Sequence, residues 1–424
     1  MNYVFLACQV AIALAIMHGI LGAVAYLILL ERKVASWIQD RIGPNRAGPH
    51  GLLQPIADGV KFILKEEFIP KNADKSLFIL APILILTPAL CGFAILPWGG
   101  VLKQGSSILG YITPTNWTVT AADPSIGVLW VLAMAGLSTY GIVLGGWASG
   151  SKFSFLGGLR ATAQMLSYEI PLALALMSVV LLSGSMNLNE IVRDQAHYFG
   201  HILPAWNIFI HPIAFVIFTT TVFAEANRAP FDLAECEAEL VGGYHTEYSS
   251  MKFALFFLAE YFSMVTGAGV AVALFLGGWH LPYLDHLIYG HTQTAESGWL
   301  GVLLKFCVFA GKIGLFCFFY MWIRWTLPRF RFDQLMNLAW RGMIPLALAD
   351  FVLTAVVVFL KQTDVPFAVQ YGSLLVFLFN IGLAVAAILI LSQHKRPAIN
   401  ERVPVPGSRY NPELARRALA VEGA

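Results

Sequence analysis

Charge is scarce in this sequence. Asp, Glu, Lys and Arg make up 12% of its 424 residues, where a soluble domain carries roughly 25%. With 58% hydrophobic residues and a mean hydropathy of +0.69, the deficit excludes a soluble globular domain and places the chain in a bilayer. Cysteine is sparse as well. Cys8, Cys91, Cys236, Cys307 and Cys317 lie far apart without a C-x-x-C pair, so neither a zinc site nor an iron–sulfur cluster is written here. The histidines are scattered, and only His18 falls well inside an apolar run, which leaves no facing pair to hold a membrane haem. Neither G-x-x-x-x-G-K-[ST] nor G-x-G-x-x-G occurs to hold a nucleotide. The roughly 10-residue alternating segments of a transmembrane barrel are also missing. We therefore expect no metal site, no bound flavin, no nucleic-acid partner and no catalytic residue. Redox chemistry would be borrowed from a partner.

Long apolar runs supply what is present. A hydrocarbon core about 30 Å thick needs ~20 apolar residues to cross as helix, and a helix satisfies its own backbone polar groups. Nine runs qualify, at about 4–30, 77–98, 126–148, 161–183, 207–224, 253–278, 301–323, 342–360 and 371–391, the fifth being short. The expected fold is an all-α polytopic membrane protein with about nine transmembrane helices. The first run is too long for a signal peptide core and reads as a retained helix. Basic residues near span ends stay cytoplasmic. The loop after the first run holds Arg32, Lys33, Arg41, Arg46, Lys61, Lys65, Lys71 and Lys75, and the seventh loop holds Arg324, Arg329, Arg331 and Arg341. The N-terminus is expected outside and the C-terminus in the cytoplasm of a bacterial inner membrane.

Two cytoplasmic loops stand out. In the first, GPNRAGPHG is a run of helix breakers. From Pro55 onward, Leu53, Ile56, Val60, Ile63 and Leu64 lie on one face, with Asp58, Lys61, Lys65 and Glu66 on another. That pattern predicts a short amphipathic helix at the membrane surface. It serves either as an anchor or as one wall of a cavity open sideways to lipid. The second loop, AEANRAPFDLAECEAELVGGYHTEYS, carries Glu225, Asp232, Glu235, Glu237, Glu239 and Glu247, with Arg228 as its one Lys or Arg. It is either a solvated face or a cluster of acids that raise one another's pKa and titrate together. Glu169, Glu260, Lys312 and Asp350 fall inside apolar runs, where each costs on the order of 2.5 to 3.5 kcal/mol and marks an ion or proton path by default. The bland alternative is structural pairing, for instance of Lys312 with an acid. Lys305, nearer a run's end, is expected to snorkel. His197, His201 and His211 follow no ligand spacing and read as outer-loop or helix-end residues.

Four blocks carry a resemblance: ERKVASWIQDRIGPNRAGPHGLLQPIADGVKFILKE, AQMLSYE, AEANRAPFDLAECEAELVGGYHTEYSSMKFALFFLAEY and RWTLPRFRFDQLM. In family order and up to about residue 360, the chain resembles the H-type membrane subunits of NADH:quinone oxidoreductase, respiratory complex I, whose mitochondrial counterpart is NADH dehydrogenase subunit 1. The resemblance implies a subunit that joins the peripheral arm to the membrane arm of a proton-translocating enzyme. Its substrate would be a quinone, ubiquinone or menaquinone. The iron–sulfur clusters and FMN would sit on partner subunits. Partners would include cluster-bearing and quinone-site subunits, small membrane-arm subunits and antiporter-like subunits. By the same resemblance Arg41, Arg46, Asp58, Glu225, Arg228 and Asp232 belong to the quinone chamber. Glu169, Glu235, Glu237, Glu239 and Glu260 belong to the proton path. The first span, the amphipathic helix and the span at 253–278 would frame the quinone entrance. Residues 1–392 would form the membrane domain and 393–424 a basic cytoplasmic tail. Ala234, Cys236 and Asp350 depart from the family pattern, which has Pro, Ala and an uncharged polar residue there. Two other classes stay open: the membrane subunit of an energy-converting hydrogenase, which shares the acidic loop without a quinone chamber, and a secondary proton-coupled transporter, which would show inverted repeats.

Overall fold

The structure, a computed structural model, describes residues 3–103, 107–108, 111–112, 117–199, 203–233, 241–282 and 296–393. Its helices are α1 (Tyr3–Ile38), α2 (Gln54–Leu64), α3 (Lys75–Gly92), α4 (Gly127–Ala148), α5 (Lys152–Ser183), α6 (Leu188–Asp194), α7 (Asn207–Ile210) and α8 (Pro212–Glu225). They continue with α9 (Ser250–Phe275), α10 (Trp299–Thr326), α11 (Phe332–Asn337), α12 (Ile344–Gln362) and α13 (Pro366–Gln393). A π-helical turn, Leu338–Met343, joins α11 to α12. Eight helices are long and apolar enough to cross a membrane among the described residues. The chain is thus an all-α multi-pass membrane protein. Two compact units, residues 1–381 and 382–424, divide the chain. Of the second, the described part is the helical stretch that runs to Gln393.

The fifth apolar run differs from expectation. His211 leaves helical geometry at φ −121° and ψ 63°, and Pro212 opens a new helix, so the run splits into α7 and the 14-residue α8. At 1.5 Å per residue, α8 extends only about 21 Å. The amphipathic segment forms α2, with Pro in its first turn.

Local chemistry accounts for several helix ends and contacts. The carboxylate of Asp74 accepts from the backbone N–H groups of Ser76 and Leu77 at the start of α3, satisfying donors that have no partner within the helix. Gly184 takes the left-handed conformation at φ 71° to end α5. Small residues bring α3 and α4 together: a Cβ added to Gly141 would lie 2.7 Å from the Ile85 nitrogen and 2.9 Å from the Ala81 oxygen. The 32-residue α5 packs against α4, α8 and α12 and is the spine of the first unit. Away from the helices, Val101–Leu102 pairs antiparallel with Trp117–Thr118 and parallel with Glu296–Ser297.

Candidate functional site

An apolar cavity of about 350 Å³ lies between α1, α2 and α9, within the size range of small-molecule sites. Gly22 and Ala25 of α1, Gly59 and Phe62 of α2, and Ala254 and Phe257 of α9 contribute to its walls. Its polar corner is Asp58, which accepts from Arg32 Nη1 at 2.8 Å and Gln54 Nε2 at 3.1 Å, with Lys61 Nζ at 3.5 Å. This network ties α2 to α1. The other end of α2 is tied to α9. Ser250 Oγ lies 2.8 Å from the Phe62 oxygen, in the last turn of α2, and 2.9 Å from the oxygen of Lys65, the residue that caps it, two carbonyls that lack intrahelical donors. The Phe68 N–H donates to Ser249 Oγ at 3.2 Å, and Lys252 pairs with Glu67.

Behind the cavity lies a buried ionic cluster. Glu31, near the end of α1, pairs with Arg324 at the end of α10, accepts from the Tyr261 hydroxyl at 2.5 Å and lies 3.8 Å from Arg228. Arg228 also approaches Glu260 at 3.9 Å, and its guanidinium stacks 4.1 Å from the centre of the Tyr261 ring. Tyr244 donates to Glu260 at 2.9 Å. The ring of Phe257 lies 5.6 Å from the Arg228 guanidinium, so this one residue is wall to the cavity and neighbour to the cluster. Each charge here faces an opposite one, which keeps its desolvation tolerable.

Arg228 reaches this position because the segment after α8 is folded inward. Residues 226–233 are buried. Gln164 of α5 holds them, donating to the Ala224 and Phe231 oxygens at 2.8 Å each and to Asn227 Oδ1 at 3.3 Å. Asn227 itself adopts a left-handed φ of 47°, a conformation that Asn tolerates better than most residues. Asp232 then meets Arg329 at 3.1 Å. Burial pushes the Asp232 carboxyl up to about 6, against the opposing pull of Arg329. His245, on the turn that precedes α9, is held below the usual imidazole range by burial, with Glu260 opposing.

The remaining acids sort into separate places. Glu169 of α5 and Glu225 of α8 border one small cavity of about 10 Å³ with Thr139, Tyr168 and Thr221. Glu225 also borders a second cavity of about 40 Å³ that includes Ser138, Ser263 and Thr266. A water needs roughly 10 to 15 Å³, so the first has room for at most one and the second for about three. Glu260 belongs to the ionic cluster and Asp58 to the cavity mouth. Arg41 and Arg46 are exposed on the breaker loop, Arg41 donating to Gln39 Oε1 at 2.7 Å, and the structure does not bring them to the cluster. Glu235, Glu237 and Glu239 lie outside the described residues.

Several side chains were placed differently by sequence reasoning or missed. Lys312 caps the end of α9, donating to the Leu276, Gly278 and His280 oxygens at 2.7, 2.9 and 2.6 Å, partners that neither sequence reading of this residue included. Lys305 is 2% exposed and does not snorkel to solvent. His211 is fully buried at its helix end and faces Asp350. Glu31, Tyr244, Tyr261 and Arg324 were missed as site residues. The available signal was the acid that ends the first apolar run and the arginine in the last turn of another. Among the described residues, no group of three or more His, Cys, Asp or Glu is placed to hold a metal.

The profile of the NADH dehydrogenase family matches residues 11–355. The second H-type subunit of NADH-quinone oxidoreductase in Koribacter versatilis is 49% identical over 349 residues, 81% of this chain and 94% of its own length. The first H-type subunit in Cytophaga hutchinsonii is 47% identical over 335 residues, covering 79% and 92%. Its counterpart in Geobacter sulfurreducens is 46% identical over 359 residues, covering 84% and 96%. With this similarity over most of its length, the chain belongs to the family of H-type subunits of NADH-quinone oxidoreductase, the multi-pass membrane subunits of that enzyme.

Proposed function

We propose that the cavity between α1, α2 and α9 is the way in for a quinone from the bilayer and that the buried ionic cluster behind it answers the quinone's charge. The observation that carries this reading is the shared wall: Phe257 lines the apolar cavity and contacts Arg228 of the cluster. An isoprenoid tail suits the apolar surface, and Asp58 with Arg32 suits the polar head in passage. The chamber is completed by Glu225, Arg228 and Asp232 and, where the peripheral subunits cover the breaker loop, by Arg41 and Arg46.

Two-electron reduction of a quinone creates a dianion that requires two protons, and acids near arginines both supply protons and respond to the new charge. Glu260 connects to the chamber through Arg228 and Tyr244. Glu225 and Glu169, joined by a cavity large enough for one water, carry the protonation change inward, with Glu235, Glu237 and Glu239 on the loop that follows. This link between quinone state and carboxylate protonation is reciprocal. The electrons arrive from iron–sulfur clusters and FMN on partner subunits, and the change passes to small membrane-arm and antiporter-like subunits. The quinone is ubiquinone or menaquinone. In this reading the chain spans a bacterial inner membrane as a domain of residues 1–392 with its N-terminus outside. Helix α2 and the basic tail 393–424 are cytoplasmic.

Inhibitor-sensitive NADH:quinone reduction and proton pumping in membranes carrying Glu225→Gln, beside a deletion strain, test the proposal. Deletion abolishes both activities, and Glu225→Gln depresses both in an assembled complex. Activity that survives deletion, or a Glu225→Gln enzyme that reduces quinone and pumps at the parental rate, refutes it.

A further inference from the structure

A second buried polar group lies at the end of α8 opposite Glu225, and the proposed coupling does not use it. His211, between α7 and α8, has a side chain 0% exposed, and that of Asp350 on α12 is 1% exposed. His211 Nδ1 stands 3.9 Å from Asp350 Oδ1, beyond hydrogen-bonding distance. Asn380 of α13 completes the group. Its Nδ2 donates to Asp350 Oδ1 at 2.9 Å, and its Oδ1 accepts at 3.2 Å from the Ile213 N–H, a first-turn donor of α8 with no partner inside the helix. A buried apolar cluster lies on the same elements: Ile210, which precedes His211, Val357, two turns along α12 from Asp350, and Val376, one turn before Asn380 on α13, pack together with Leu182 and Leu375. Glu225 is about 20 Å away along α8, and Lys361 is about 16 Å further along α12.

Three buried polar atoms of this group, His211 Nδ1, His211 Nε2 and Asp350 Oδ2, have no hydrogen-bond partner among the described residues. Buried polar atoms are nearly always paired, by protein or by ordered water. A direct imidazole–carboxylate pair would close to about 2.8 Å. The observed separation instead leaves Asp350 Oδ2 and the ring nitrogens able to satisfy a single small molecule that both donates and accepts, and water needs two to four such partners.

We propose that His211, Asp350 and Asn380 form a buried site for one water molecule that lets the imidazole and the carboxylate share a proton. The exchange balances without a co-reactant: as the acid gives its proton to the water, the water gives one to the ring nitrogen, and the reverse step restores the start. The pair stays neutral overall, which is how two ionisable groups persist when so fully buried. Asn380 orients the carboxylate and lies beyond residue 355, where the family profile stops. The site is therefore specific to chains that carry both Asp350 and the last helix.

Electron cryomicroscopy of the intact complex, at a resolution that shows waters, tests the site directly. One density within hydrogen-bonding distance of a His211 ring nitrogen and of Asp350 Oδ2 is the expected result; a dry site, or a direct His211–Asp350 contact, overturns it. Thermal inactivation of His211→Leu, Asp350→Leu and the double variant gives a second reading. Each single change strands its partner and lowers the inactivation temperature by several degrees, while the double variant regains at least half of the summed loss. Strictly additive losses overturn the shared proton. NADH:quinone reduction at low temperature stays at the parental rate in all three.

Discussion

Filling the cavity between α1, α2 and α9 discriminates a route for a long-tailed quinone from a mere gap between helices. Gly22 lines the cavity, and a Cβ added there meets nothing within 4 Å. Gly22→Trp therefore introduces an indole into open apolar space. Moving it from lipid-like surroundings to apolar walls is close to neutral, so the complex assembles. The same indole displaces the tail. If the tail loses about 15 carbon–carbon contacts at ~0.15 kcal/mol each, binding weakens by about 2.3 kcal/mol, which is about a fifty-fold rise in KM. Steady-state NADH:quinone reduction in membranes, with one long-tailed and one short-tailed quinone, measures this. The long-tailed substrate suffers the full rise and the short-tailed one little of it, with kcat for both near the parental value. Gly59→Trp, from the facing wall, gives the same pattern, since Gly59 also points into open space. Equal KM changes for the two quinones, or none, in a complex assembled to parental levels would refute the reasoning.

Three further outcomes follow from the same geometry. Glu31→Gln removes the carboxylate that faces Arg324 and Arg228, so stability falls by on the order of 3 to 5 kcal/mol. The loss is read as a lowered inactivation temperature that Arg324→Gln partly restores, and a stable single variant contradicts the cluster. In Gly136→Ala the new Cβ would sit 2.9 Å from Glu169 Oε1 and push the carboxylate aside. A displacement of that kind slows proton transfer by up to about a hundredfold. The proton-to-electron ratio then drops, while the control Gly19→Ala, with nothing within 4 Å, retains it. Asp232, pushed up to about 6 by burial, binds its proton more tightly folded than unfolded. Its contribution to stability is present below pH about 4 and is lost as pH rises through 6. Asp232→Asn thus gains at most about 3 kcal/mol relative to the parent as pH rises across that window. Thermal inactivation at pH 4 and pH 8 reads this, and a pH slope shared by parent and variant excludes it.

The apolar runs announced the helices because length and hydropathy are local properties of a chain. The run at 207–224 was read as one span because His211 and Pro212 interrupt it without interrupting its hydropathy. Helix α2 was legible from its amphipathic spacing, yet the serine that fastens it, Ser250, is 188 residues from Phe62 and carried no pattern. The same holds at the ionic cluster. Glu31 and Arg324 look like ordinary span-end charges until folding joins them across 293 positions. Lys312 reads in sequence as a charge marking an ion path or paired with an acid, because sequence displays side chains, and the helix-end carbonyls to which it donates are invisible there. The family blocks did mark Glu169, Gln164 and the segment around Arg228, and the structure adds how Gln164 holds that segment inward.

The brevity of α8 has an electrical consequence. A bilayer's apolar layer is about 30 Å thick, and this helix extends about 21 Å. At least one end of a helix this short therefore lies inside that layer, and each end carries an ionisable side chain, His211 at one and Glu225 at the other. Moving one elementary charge through the full 100 mV of a membrane potential corresponds to about 2.3 kcal/mol. A proton gained or lost at the end that lies at depth crosses part of that potential, so its protonation both responds to the membrane voltage and acts on it.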